Sequence, residues 1–134
     1  MNAIGLVEVK NISKGIKITD EMLKSAGISL IRSGSVCPGK YVTLVGGDLS
    51  SIQAAVEHAE ECAEDALIDK FVIGNLGERV FEALYGTCEI KEKKALGIVE
   101  TFTAASAILA ADAAVKAAMV SLIEVRVARG MGGK

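Results

Sequence analysis

The sequence has no tryptophan, one proline, one histidine and only 4% aromatic residues. It is nevertheless 51% hydrophobic. Ala, Val, Ile and Leu must therefore build the core, and side chains that small let helix and sheet approach closely. No stretch reaches the roughly 18 consecutive apolar residues that a membrane-spanning helix requires. The start, Met1 to Glu8, has no basic region ahead of its apolar run, which argues against a secretory signal. The three cysteines, Cys37, Cys62 and Cys88, are an odd number without CxxC spacing. They suit a reducing cytoplasm rather than a disulfide framework. A single histidine, His58, gives no basis for a histidine-based metal site within one chain. The net charge of −2 provides no global basic field for nucleic acid or an acidic membrane. No Ser/His/Asp or Cys/His set and no paired-carboxylate cleft supports a hydrolytic or transferase activity, so the chain is not expected to be an enzyme.

What the chain does have is an internal echo. Ala3-Ile4-Gly5-Leu6-Val7-Glu8 returns as Ala95-Leu96-Gly97-Ile98-Val99-Glu100, an offset of 95 − 3 = 92 residues. Asp20, Lys24, Ala26 and Leu30 fall on Asp112, Lys116, Ala118 and Leu122 at the same offset. Lys40 falls on Lys134 if two residues are inserted before it. So long a period reads as one folding unit duplicated rather than a short solenoid repeat. The second copy stops after its second expected strand, which would leave an apolar edge unpaired. The expectation is that the natural product continues past Lys134, or that something else covers that edge.

The patterning predicts a strand at 4–9, a helix from a cap at Asn11 or Ser13 to about Ala26, and a strand at 28–33. Gly27 should end the helix as glycine does after a last turn. Residues 34–40 read as a loop and 41–45 as the partner strand of a hairpin. Gly46-Gly47-Asp48 is a tight exit with Asp48 as N-cap. A helix over 49–66 follows, apolar at Ile52, Ala55, Val56, Ala59, Cys62 and Ala66 and acidic at Glu57, Glu60, Glu61 and Glu64. A strand at 67–74 comes next. A short helix is capped by Asn75, with Glu78 completing a capping box, and ended by Gly86. The charged run 87–94 is a linker. The second copy should give a strand at 96–102, a helix at 104–118 and a strand at 121–128. The order β-α-β-β-α-β-α belongs to α+β sandwiches, with helices on a four-stranded, mainly antiparallel sheet.

Several residues stand out against plain alternatives. Cys37 sits in a Val36-Cys37-Pro38-Gly39 turn, where its thiol would be exposed. It is either an incidental surface cysteine or a ligand contributed once per subunit. One cysteine cannot hold an iron–sulfur cluster, which takes about four thiolates. Identical turns meeting on a symmetry axis could. Cys62, on an apolar helix stripe, reads as core, and Cys88 has no partner at metal spacing. The glycine turn before Asp48 lacks a phosphate-loop pattern. The Gly130–Gly133 tail is either a loose terminus or the counterpart of Val36–Gly39. Lys24 and Lys116 end equivalent helices, as lysines favoured by the helix dipole or as paired residues at a lateral contact.

Together the Ile4–Glu8 motif, Asp20–Ala26, Tyr41–Asp48 with its preceding turn, and Gly97–Glu100 resemble the bacterial microcompartment shell protein family over essentially the whole chain. The resemblance implies a ferredoxin-like-related shell domain, duplicated: residues 1–88 form the first domain and 95–134 the N-terminal half of an incomplete second. It points to the tandem-domain members, which form flattened trimers that imitate hexagonal tiles. Val36-Cys37-Pro38-Gly39-Lys40 is similar to the pore loop of the propanediol-utilisation-type member, in which one cysteine per subunit ligates a [4Fe–4S] cluster on the threefold axis. Carried over, the ligand is Cys37, and Lys24 and Lys116 lie at tile edges. Implied partners are the chain itself as a homotrimer, other shell proteins, and encapsulated redox enzymes. The leading expectation is a structural shell tile, in the cytoplasm, whose central pore carries a cluster for electron transfer. The alternatives are a tile with an open metabolite pore and no metal, and a small-ligand-binding regulatory ferredoxin-like domain.

Overall fold

A computed structural model describes residues 3–89 and 95–127. The strand β1 (Ala3–Val9) is buried at every position, so it must be central and covered on both faces. Its partners are β3 (Lys40–Gly47) and β4 (Leu67–Gly74), and β2 (Ser29–Val36) pairs with β3. The sheet order is β2-β3-β1-β4, antiparallel throughout. Leu6 stands opposite Leu44 on one side and Phe71 on the other. This is the expected α+β sheet.

Strand alternation splits the core in two. Ala3, Val7, Val9 and Val45 face α1 (Ile12–Ser25) and α2 (Leu49–Ala63), meeting Ile18, Met22, Ile52, Ala55, Val56 and Ala59. Small residues set the spacing. A methyl added at Gly5 would lie 2.7 Å from side-chain carbons of both Ile52 and Val56. The helix α2 therefore rests directly on the β1 backbone. The opposite face carries Ile4, Leu6, Val42, Leu44, Phe71 and Ile73. It is covered by α3 (Glu78–Tyr85), α4 (Ala104–Ala117) and the segment through Val125 and Val127. Each fully buried Ile, Leu or Val contributes about 1.5–3 kcal/mol, so an uncovered second face would be costly.

Several boundaries differ from expectation. The strand β2 runs on through Gly34 and Ser35 to Val36, so the hairpin turn shrinks to Cys37, Pro38 and Gly39. Gly46 and Gly47 belong to β3 rather than to an exit loop. The helix α1 leaves through an extended Ala26, and Gly27 takes no left-handed conformation. The helix α2 ends at Ala63 and tightens into a 3-10 turn over Glu64–Ala66. The cap of α3 is Gly77, whereas Asn75 takes the left-handed φ of 62° that asparagine tolerates. The Glu78 side chain, Ile90 to Lys94, the Gly130–Gly133 tail and Lys134 lie outside the described residues.

The second copy departs most. Its helix forms as expected, but among the described residues neither 96–102 nor 121–127 forms a strand. A strand needs partners for its backbone groups, and β1 has both sides taken by β3 and β4. Leu96, Ile98, Val99 and Phe102 are exposed. The 121–127 segment instead lies along α3, with Val125 N donating to Ala83 O at 2.9 Å and Cys88 N to Ile123 O at 2.7 Å. No helix among the described residues is long and apolar enough to cross a membrane.

Candidate functional site

The turn with the candidate ligand stands at the end of the β2–β3 ladder, which pairs up to Val36↔Lys40. Gly39 holds a φ of 90° and its N–H donates to Val36 O at 3.0 Å. A residue with a Cβ would be strained there. The Cys37–Pro38 peptide is cis. Cys37 is exposed and its thiol is free, as a hairpin-tip thiol should be. The other cysteines lie elsewhere and on opposite faces. Cys62 packs on the α1/α2 side and Cys88 on the α3/α4 side. No group of three or more His, Cys, Asp or Glu among the described residues could hold a metal ion. One chain thus offers a single accessible thiolate, which fits a cluster only as one ligand among those of several copies.

The reading of Cys62 as core needs adjustment. It is half-buried, with Sγ 3.7 Å from His58 Nε2, and that nitrogen is 3.9 Å from Glu21. The acidic face of α2 is not simply solvated either. Glu60 pairs with Lys70, and Glu64, just past the helix, with Lys14 at 2.9 Å. Asp48 caps α2 as expected, accepting Ser51 N at 3.1 Å and both serine hydroxyls. The Ser51 and Ser50 hydroxyls and the Ser51 N–H hold its carboxyl well below the usual carboxylate range.

Lys24 and Lys116 both reach back one turn, to Asp20 at 2.5 Å and Asp112 at 2.6 Å. The hydrogen bond to Asp20 and its charge raise the Lys24 pKa. The environments differ. Lys24 and Asp20 are exposed, whereas Asp112 is 7% exposed and also accepts Gly77 N at 3.1 Å.

The site that sequence reading missed is where the second copy meets the first. Glu8, on β1, is fully buried and ion-paired with Lys40. Its other oxygen accepts Ala104 N, the first residue of α4, at 3.0 Å. Asp69 on β4 accepts the Thr103 hydroxyl at 2.5 Å, and Thr103 in turn caps α4 through Ser106 N at 3.0 Å. Two carboxylates of the first copy thus face the positive end of a second-copy helix. The signal was present: an acid closing an apolar strand, Glu8, and the lysine that pairs with it, Lys40, both recur in the repeat.

Comparisons agree with this architecture. The BMC domain family model matches residues 3–76 and 95–134. The bacterial microcompartment shell protein PduT of Citrobacter freundii is 42% identical over 132 residues, covering 98% of this chain and 72% of that protein. The shell protein EutK of Salmonella typhimurium is 33% identical over 64 residues, covering 48% of this chain and 39% of that one. A crystal structure of a microcompartments protein from Desulfitobacterium hafniense DCB superposes with a TM-score of 0.77 at 37% identity, over 99% of this chain and 74% of that chain. A four-stranded antiparallel sheet, a second copy of its first helix locked onto that sheet, and a family match to both copies lead to one conclusion: the chain belongs to the BMC-domain family of bacterial microcompartment shell proteins, which are structural and not enzymes.

Proposed function

We propose that the chain is a tile of a catabolic microcompartment shell, working as a homotrimer in the cytoplasm. Residues 1–88 supply one shell domain and 95–134 the first half of another. In this reading the Val36–Gly39 turns of three copies surround a central pore, and Cys37 contributes one thiolate per copy to a [4Fe–4S] cluster. The cluster, when bound, supplies one-electron transfer across the shell. The chain's own part is to hold the thiol exposed on a paired hairpin. Lys24 and Lys116 sit at tile edges, where other shell proteins adjoin, and encapsulated redox enzymes are the electron partners. The observation that supports this most is the free, exposed Cys37 thiol at the hairpin tip. The resemblance of its turn to the propanediol-utilisation-type pore loop points the same way.

An anaerobic preparation assayed for iron and for visible charge-transfer absorption tests the proposal. The expected result is absorption and iron in the wild type, both lost in Cys37→Ser with the trimer retained. A trimer that carries no iron under those conditions would instead support a tile with a metal-free pore for small metabolites.

A further inference from the structure

The helices α1 and α4 are the same helix twice. Their ends match at the repeat offset, 104 − 12 = 92 and 117 − 25 = 92. Even the exits agree, with Ile28 N bonding Ala26 O and Val120 N bonding Ala118 O, both at 2.9 Å. They bury different faces. The helix α4 turns Ala104, Ala105, Ile108, Ala111 and Asp112 onto the first-copy sheet and α3. The helix α1 buries Gly15, Ile18, Thr19 and Met22 instead. The α1 counterparts of the docked α4 face are therefore left outside. Ile16, which corresponds to Ile108, is 55% exposed against 1%. Ile12 and Leu23, which correspond to Ala104 and Val115, are exposed at 43% and 38%.

The start of α1 differs from that of α4 in the same sense. Thr103 caps α4 and Glu8 accepts its first N–H, whereas the Asn11 side chain makes no capping hydrogen bond. The acid that would serve α1 by the repeat is Glu100, the counterpart of Glu8.

We infer that the outer stripe of α1, Ile12, Ile16, Asp20 and Leu23, is a docking surface for the second repeat of another copy of this chain. The inference rests on the tile reading and specifies how copies join. The contact inside the chain, first-copy sheet to second-copy helix, is repeated between chains as second copy to first-copy helix. Such a head-to-tail contact buries one patch against a different patch, and it closes into a ring when the rotation permits. The occupant is a second copy because the chain already carries the complementary half of this contact within itself.

The test is sedimentation velocity of the 134-residue chain over a concentration series, with Ile16→Glu beside it. Leu109→Glu, an exposed α4 position outside the docked face, is the control. The expected outcome is a self-associating wild type, an Ile16→Glu variant weakened at least about tenfold, and a control that associates like the wild type. Ile16 is exposed, so the variant should melt as the wild type does. If it does not, Ile12→Lys gives the same reading. A wild type that stays monomeric, or an Ile16→Glu variant that assembles unchanged, overturns the inference. Recruitment of tagged wild type to assembled shells judges the tile reading separately. Recruited wild type with an unaffected variant removes only the α1 surface. Self-association through α1 without recruitment removes only the tile.

Discussion

Two helices with the same ends, exits and Asp-x-x-x-Lys pair have opposite fates. The helix α4 is embraced by the sheet, by Glu8 and by α3, while the matching face of α1 looks outward. The difference shows that a helix's sequence fixes its amphipathic faces but not which face is satisfied within the chain. That depends on what the topology brings alongside.

Four measurements sharpen or break the comparison. The largest effect should come from Glu8→Ala. It strips a buried lysine of its partner and α4 of its first acceptor, and should cost about 3–5 kcal/mol, read as a fall in the urea midpoint. Next is the pair Ile108→Ala and Ile16→Ala. The buried site should lose about 2–5 kcal/mol, and the exposed one should stay within about 0.5 kcal/mol in the monomeric chain. Equal losses would mean that α4 is not docked as described. Third, Gly5→Ala drives a methyl into Ile52 and Val56 and should cost about 1–3 kcal/mol. Its repeat counterpart Gly97, with nothing within 4 Å of an added Cβ, should tolerate alanine.

The smallest effect concerns Asp48, which caps α2 from within its own turn, whereas α4 depends on distant acids. The Asp48 carboxyl is depressed in the folded state by the Ser51 and Ser50 hydroxyls and the Ser51 N–H. Its stabilisation is thus complete above the ordinary carboxylate value of about 4 and fades as pH falls through the folded value. Thermal melts of Asp48→Asn should therefore converge with the wild type only at acid pH.

Local signals made much of the first copy legible. The strands β1 and β4, the α1 stripe and the Asp48 cap follow from alternation, helical spacing and side-chain capping, and the structure returns each of them. The Pro38-Gly39 pair was enough to place Cys37 at an exposed turn. Pairing was not legible. Leu96 to Phe102 has the composition of a strand, yet strand formation depends on neighbours rather than on propensity, and no partner strand lies beside it. Asn75 misled for a related reason, since its short side chain serves helix caps and left-handed turns alike. The role of Glu8 needed three dimensions, because its helix partner lies 96 residues away.

That separation has a consequence for how the protein is made. The acid that clasps α4 emerges from the ribosome with the first strand and waits through most of synthesis for its helix. Until Ala104 arrives, one side of the sheet, with Ile4, Leu6, Val42, Leu44, Phe71 and Ile73, has no α4 to cover it. A gene cut between the repeats would release a half-clad sheet that clings to whatever apolar surface it meets, so the two repeats travel best on a single polypeptide.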